Sequence, residues 1–220
     1  MKIAAIIQAR LGSNRLPGKV MMDITGKPML GRVIERVRMA IPDIIVATPD
    51  AEVAKYATSQ NVSVFVGSEF DVINRYYQAA KSFELIDIIR ITADNPLIDP
   101  DVISKVVEFY SNGDYDYVSN NLKRTYPVGL DVEVFSFKTL ERVWCTTKDA
   151  YDSEHVTSYI YRHPELFTLG SVENDVNLSH LQWTVDYQKG LEFAREIYSN
   201  LGGNFTMSDV LKFIKGRVYA

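Results

Sequence analysis

The first 110 residues alternate short Ile/Val-rich runs with longer amphipathic stretches, and no other feature constrains the fold as strongly. Residues 2–8 (KIAAIIQ), 43–48 (DIIVAT), 62–66 and 86–92 (IDIIRIT) are runs of strand length. Near-continuous apolar runs of this kind belong to parallel strands buried on both faces. Between them, helices are expected from Pro28 onward, where Met29, Val33, Ile34 and Val37 recur at helical spacing, and over 50–59 and 71–83. Asp99 followed by Pro100 marks the start of another helix, running to about residue 110. Strand–helix alternation predicts a parallel α/β sheet with helices on both faces.

Beyond residue 110 the rhythm breaks. Strands are expected over 115–119, 130–135 and 181–185, an extended segment over 167–172, and a loop over 120–129. Helices are expected over 137–144, 153–161, 189–200 and 208–215. With no linker, repeat or low-complexity stretch, the 220 residues read as one mixed α/β domain whose second half adds antiparallel strands.

Charge separates the chain in another way. Residues 1–40 hold eight Lys/Arg against Asp23 and Glu35, a net +6 in a chain whose overall charge is −4. A basic opening on an acidic body argues against coating nucleic acid and fits attraction of a small anion. No apolar run is long enough to span a membrane. Cys145 is alone, so no disulfide framework exists within the chain, and a cytoplasmic setting is expected.

The basic residues concentrate where the first strand ends. Ala9 to Lys19 (ARLGSNRLPGK) places two guanidinium groups, an ammonium, a hydroxyl and glycine-freed backbone N–H groups at the ligand-binding edge of an open α/β sheet. These are the donors a polyphosphate needs. The loop is not a P-loop: five residues separate Gly12 from Gly18, and Val20 replaces the Ser/Thr that would hold magnesium. Nor does a G-x-G-x-x-G fingerprint occur. On residues alone, a solvated turn is the competing reading.

The segment Ile6–Lys19 (IIQARLGSNRLPGK), followed by Gly26-Lys27-Pro28-Met29-Leu30, resembles the opening of sugar-acid cytidylyltransferases, and most closely the spore coat polysaccharide biosynthesis protein F family. The likeness continues through DVINRYY (71–77), RITADNPLIDP (90–100), GLDVEVF (129–135), EHVT (154–157) and LSHLQWTVD (178–186). It implies a GT-A-like nucleotide-diphospho-sugar transferase fold, with residues 1–112 as the nucleotide-binding half and 113–220 as the acceptor-sugar half. It also implies an enzyme moving CMP from CTP to a sugar or sugar acid, and possible homodimers. Arg10, Arg15 and Lys19 would hold the triphosphate, with Gly12 and Ser13 in the same loop. Gln8 and Ala9 would approach the base, and Arg75 would make a nucleotide contact. Asn74 departs from the Asp more often found before that arginine.

Asp94 and Asp186 each follow an expected strand at the ligand edge, and magnesium takes one or two carboxylates together with phosphate oxygens. Alternatively, Asp94 serves a turn before Asn95-Pro96 and Asp186 caps the following helix. The resemblance favours the magnesium reading for both. Asp131 and Glu133 fall on one face of a strand by period two and would accept hydrogen bonds from sugar hydroxyls, unless that face is merely solvated. Glu154 and His155, near a helix start, would contact the acceptor, or His155 would relay a proton. Their alternatives are a carboxylate in a helix's first turn and a structural hydrogen bond.

Two other functions compete. A glycosyltransferase on the same fold would hold its metal with a D-x-D motif, and Asp114-Tyr115-Asp116 has that spelling, although it precedes a strand. A non-catalytic partner would bind nucleotide without turnover.

Overall fold

A computed structural model describes residues 2–147 and 149–218. In chain order the elements are β1 (Ile3–Gln8), α1 (Met29–Ala40), β2 (Ile44–Thr48), α2 (Ala51–Ser59), β3 (Ser63–Val66), α3 (Val72–Ser82), β4 (Asp87–Thr92) and α4 (Pro100–Ser111). There follow β5 (Tyr117–Ser119), β6 (Glu133–Ser136), α5 (Phe137–Thr146), α6 (Ala150–His155), α7 (Ser158–Arg162), β7 (Leu169–Ser171), α8 (Gln188–Leu201) and α9 (Met207–Val218). The seven strands form one sheet in the order β3-β2-β1-β4-β6-β5-β7.

The expected parallel core is present: β1 pairs in parallel with β2 and β4, and β2 with β3. The expected antiparallel addition is β6, which runs against both β4 and β5. Strand β1 shows why such strands are apolar throughout. Ala5 and Ile7 enter the core under α1, α4 and α8, while Ala4 and Ile6 enter the core under α3 and α5. Each fully buried Ile contributes about 1.5–3 kcal/mol. The chain leaves β1 toward β2 on one side, and β4 lies on the other, so the order of connections reverses between β1 and β4. A crevice opens at such a point.

Three expectations are corrected. Residues 181–185 form no strand but only an isolated bridge between Val128 and Gln182. Gly129, at φ 108, turns the partner chain away after that bridge; a Cβ there would lie 2.6 Å from Thr184 N. Strand β6 begins at Glu133 rather than residue 130, because the Asn120 side chain takes the backbone instead. Its Nδ2 donates to Leu130 O at 2.7 Å, and its Oδ1 accepts from Val132 N at 2.9 Å. The helix expected over 153–161 is split into α6 and α7 at Val156 (φ 54, ψ −57). There Thr157 N donates to His155 O at 2.5 Å, closing a γ-turn of the strained, positive-φ kind.

Asn74 does not line the cleft. Its Oδ1 accepts from Trp144 Nε1 at 3.1 Å, and Trp144 stacks on Tyr77 with ring centroids 3.9 Å apart. The amide joins α3 to α5, a task on the packed side of α3.

Candidate active site

The C-terminal ends of β1 and β4 open into a cleft of about 480 Å³. Gln8, Ala9, Arg10, Gly12, Ser13, Arg15, Lys19, Arg75, Asp94, Glu154, His155 and Asp186 all line it. Every site residue expected from sequence is therefore brought to one place except Asp131 and Glu133.

The loop after β1 is held open by its own backbone. Ser13 N and Gly18 N both donate to Leu11 O, at 2.8 and 2.9 Å, and Leu11 N donates to Asp50 Oδ2 at 2.8 Å. Gly18 sits at φ 69, where a side chain would be strained, and starts a single 3-10 turn over Lys19–Met21. That turn sends Lys19 inward. Its ammonium lies 3.0 Å from Asp94 Oδ2, 2.9 Å from Asp186 Oδ1 and 2.9 Å from Val185 O, so all three donors are used. Lys19 is only 8% exposed.

The strand correction alters how Asp186 arrives. It is placed by Val185 N, which donates to Asp94 O at 2.8 Å and ties the two acidic segments together directly. Asp186 does not cap α8; Tyr187 occupies the cap position. Arg15 Nη2 reaches Asp186 Oδ1 at 2.6 Å. Burial pushes the Asp186 carboxyl up, but hydrogen bonds and charge from Lys19 and Arg15 outweigh it and hold the group below the ordinary carboxylate value. The same contact, first through its hydrogen bond, raises Arg15.

Two carboxylates thus converge on a single cation position. Among the described residues no group of three or more His, Cys, Asp or Glu forms a cage that could hold a metal alone. A pair of hard oxygen ligands beside a basic loop nevertheless fits magnesium, which commonly takes part of its shell from substrate.

On the opposite wall, Arg10 Nη2 donates to Glu154 Oε1 at 2.8 Å, linking the basic loop to α6 across 144 residues. Arg75 projects from α3 and is 1% exposed. Its Nη1 donates to Ser68 O, while its buried Nε has no partner. Burial lowers its pKa. A buried donor left without an acceptor is costly, and this one sits in a residue that lines the cleft.

Glu133 and Asp131 are the two expected site residues that do not line the cleft. Glu133 is 3% exposed and both its oxygens are occupied. Oε1 accepts from Tyr117 at 2.5 Å and Thr157 at 2.6 Å, while Oε2 pairs with Arg90. No sugar hydroxyl can reach it in this arrangement. Asp131 lies outside β6 and accepts from Arg124 Nη1 at 2.5 Å, away from the cleft lining. Arg90, by contrast, lines the cleft and was missed. A signal existed: an arginine inside an Ile-rich run buried on both faces needs a partner carboxylate. The D-x-D spelling leads elsewhere, since Asp116 Oδ2 accepts from Thr168 N at 2.8 Å and neither aspartate lines the cleft.

Comparison with known proteins shows the family and the fold. Residues 4–200 match the cytidylyltransferase family model. The spore coat polysaccharide biosynthesis protein SpsF of Bacillus subtilis is 31% identical over 217 residues, covering 91% of this chain and 88% of that protein. A solved cytidylyltransferase from Leptospira borgpetersenii superposes with a TM-score of 0.94 at 31% identity, covering 100% of this chain and 96% of that one. A CMP-2-keto-3-deoxy-manno-octonic acid synthetase solved with CTP shares the fold, with a TM-score of 0.72 at 18% identity over 91% of this chain and 100% of that one.

Proposed function

The chain belongs to the cytidylyltransferase family, and from that premise we propose that its cleft passes CMP from CTP to a sugar acid in polysaccharide biosynthesis. The observation that carries the reading is the meeting of Lys19, Asp94 and Asp186 beside the basic loop. A triphosphate needs cationic donors and carboxylates that could hold its metal, and Lys19 lies within hydrogen-bond distance of both aspartates.

The reaction needs no covalent intermediate. A hydroxyl oxygen of the acceptor attacks the α-phosphorus, a new O–P bond forms, and the bond to the bridging oxygen breaks. Pyrophosphate leaves with that electron pair. Arg15 and Lys19 neutralise the charge that gathers on it, and Arg10, Gly12 and Ser13 position the β- and γ-phosphates. Asp94 and Asp186 would hold magnesium, which when bound polarises the α-phosphate. Gln8 and Ala9 face the base, and Arg75 lines the same cleft. Glu154 and His155 form the acceptor wall. His155 would receive the hydroxyl proton. Binding of triphosphate competes for Arg10 and frees Glu154 to accept from the sugar.

A pyrophosphate-release screen tests this, with CTP, UTP, ATP and GTP each offered against a panel of sugar acids. Release with CTP and one sugar acid is expected. Release of a nucleoside diphosphate from a nucleotide-sugar instead would transfer the cleft to glycosyl chemistry.

A further inference from the structure

Arg90 is the cleft residue whose contacts are least explained by phosphate binding. Its Nε donates to Gln8 Oε1 at 3.2 Å, and its Nη1 pairs with Glu133. Glu133 is held from behind by the hydroxyls of Tyr117 and Thr157. The Glu133 end of this chain of contacts is fixed, and Arg90 carries that constraint to Gln8. A guanidinium only donates, so the Gln8 atom facing it must be the amide oxygen. The amide nitrogen, which has no protein acceptor among the described residues, is left for the cleft that Gln8 lines.

We propose that Arg90, braced by Glu133, locks the Gln8 amide as a hydrogen-bond donor and thereby makes Gln8 the residue that selects cytosine over uracil. The proposal rests on the reading of the cleft as a CTP site with Gln8 at the base. Cytosine presents adjacent O2 and N3 acceptors to such a donor. Uracil keeps O2 but carries N3–H in place of the N3 acceptor, so a donor aimed at N3 meets another donor there and both are left unsatisfied. Arg90 is a positioning residue in this scheme, and so is Glu133.

Calorimetric titration with CTP, UTP and inorganic triphosphate, each with magnesium, tests it on the wild type and on two variants. Gln8→Glu keeps an oxygen for Arg90 and turns the cleft-facing group from donor to acceptor. Arg90→Lys keeps a charge beside Glu133 but has no planar fork to span both partners. The wild type is expected to prefer CTP by about tenfold or more, the scale of a lost hydrogen bond. Gln8→Glu should lower that ratio by a similar factor, and Arg90→Lys should bring it toward one, because the freed amide can present either end. Triphosphate affinity should be alike in all three. An unchanged CTP/UTP ratio in Gln8→Glu overturns the proposal, as does a full preference retained in Arg90→Lys. Should Arg90→Lys fail to fold, Gln8→Glu decides alone. A wild type binding both nucleotides equally overturns this inference and leaves the CTP site standing. A wild type binding neither overturns the CTP reading itself.

Discussion

The Lys19 ammonium and the Asp186 carboxylate meet at 2.9 Å although 167 positions separate them in the chain. Asp94 shares the same ammonium at 3.0 Å. Lys19 is therefore more than a phosphate ligand in waiting: it is the counter-ion that lets two acidic segments lie together before substrate arrives. In the proposed reaction, triphosphate would have to draw this lysine from three acceptors.

Lys19→Met should consequently affect folding as well as turnover. Two carboxylates would face each other without a cation, and stripping one partner from a largely buried pair costs about 3–5 kcal/mol; partial exposure of the aspartates lowers this to about 1–3 kcal/mol. Tm should fall by roughly 2–10 °C. Magnesium should restore part of that loss in the variant more than in the wild type, as differential scanning calorimetry with and without the ion would reveal. A Tm indifferent to both changes would return Lys19 to a solvated loop.

Much of this site was legible in the sequence because its parts sit where strands end. Gln8, Ala9 and Asp94 follow Ile-rich runs whose character as buried parallel strands is written in their composition. The failures have local causes. Period two placed Asp131 and Glu133 on one strand face, but the Asn120 side chain captures the backbone at 130 and 132 and delays the strand. Glu133 then turns inward to Arg90, a pairing across 43 positions that no local pattern announces. The segment ending at Val185 has the residues of a strand, yet only one bridge forms, since its neighbour turns off at Gly129.

Arg15 should behave differently from Lys19. Its side chain is 54% exposed, and besides Asp186 it meets the Tyr187 ring, at 5.5 Å. Arg15→Ala should leave Tm nearly unchanged while lowering kcat by tenfold or more, since a donor aimed at developing charge is worth about 2–4 kcal/mol. Steady-state pyrophosphate release beside a melting curve separates the two effects. Equal losses in both would mean the guanidinium is structural.

Asp186 should also impose a pH dependence on stability. Its folded carboxyl pKa lies below its unfolded value, so its contribution is fully present above the unfolded pKa of about 4 and is lost as pH falls through the folded value. The Tm difference between wild type and Asp186→Asn should be constant from pH 7 down to about 5. It should then shrink on further acidification as the wild type loses its ion pairs. A difference that holds steady to the lowest pH at which both proteins fold would show that Lys19 and Arg15 gain nothing from this carboxylate.

Asp94 and Asp186 should combine in opposite ways in activity and in stability. Both would serve one magnesium ion, so Asp94→Asn or Asp186→Asn alone should remove most turnover, and the double variant should be little worse than the poorer single one. Each single variant should also need more magnesium for half activity. Stability follows another rule, because Lys19 bridges the pair. Losing one carboxylate leaves the ammonium its ion pair with the other, and Tm should drop only slightly. Losing both leaves a cation that is 8% exposed with amides and the Val185 carbonyl for company, and an unpaired buried charge is costly. The double variant's Tm loss should exceed the sum of the single losses, a coupling typical of residues in direct contact. Calorimetry on the four proteins without metal, set beside their pyrophosphate-release rates, reads both comparisons. Multiplicative losses of turnover would mean the aspartates act separately. Strictly additive losses of Tm would mean that Lys19 does not depend on them in solution.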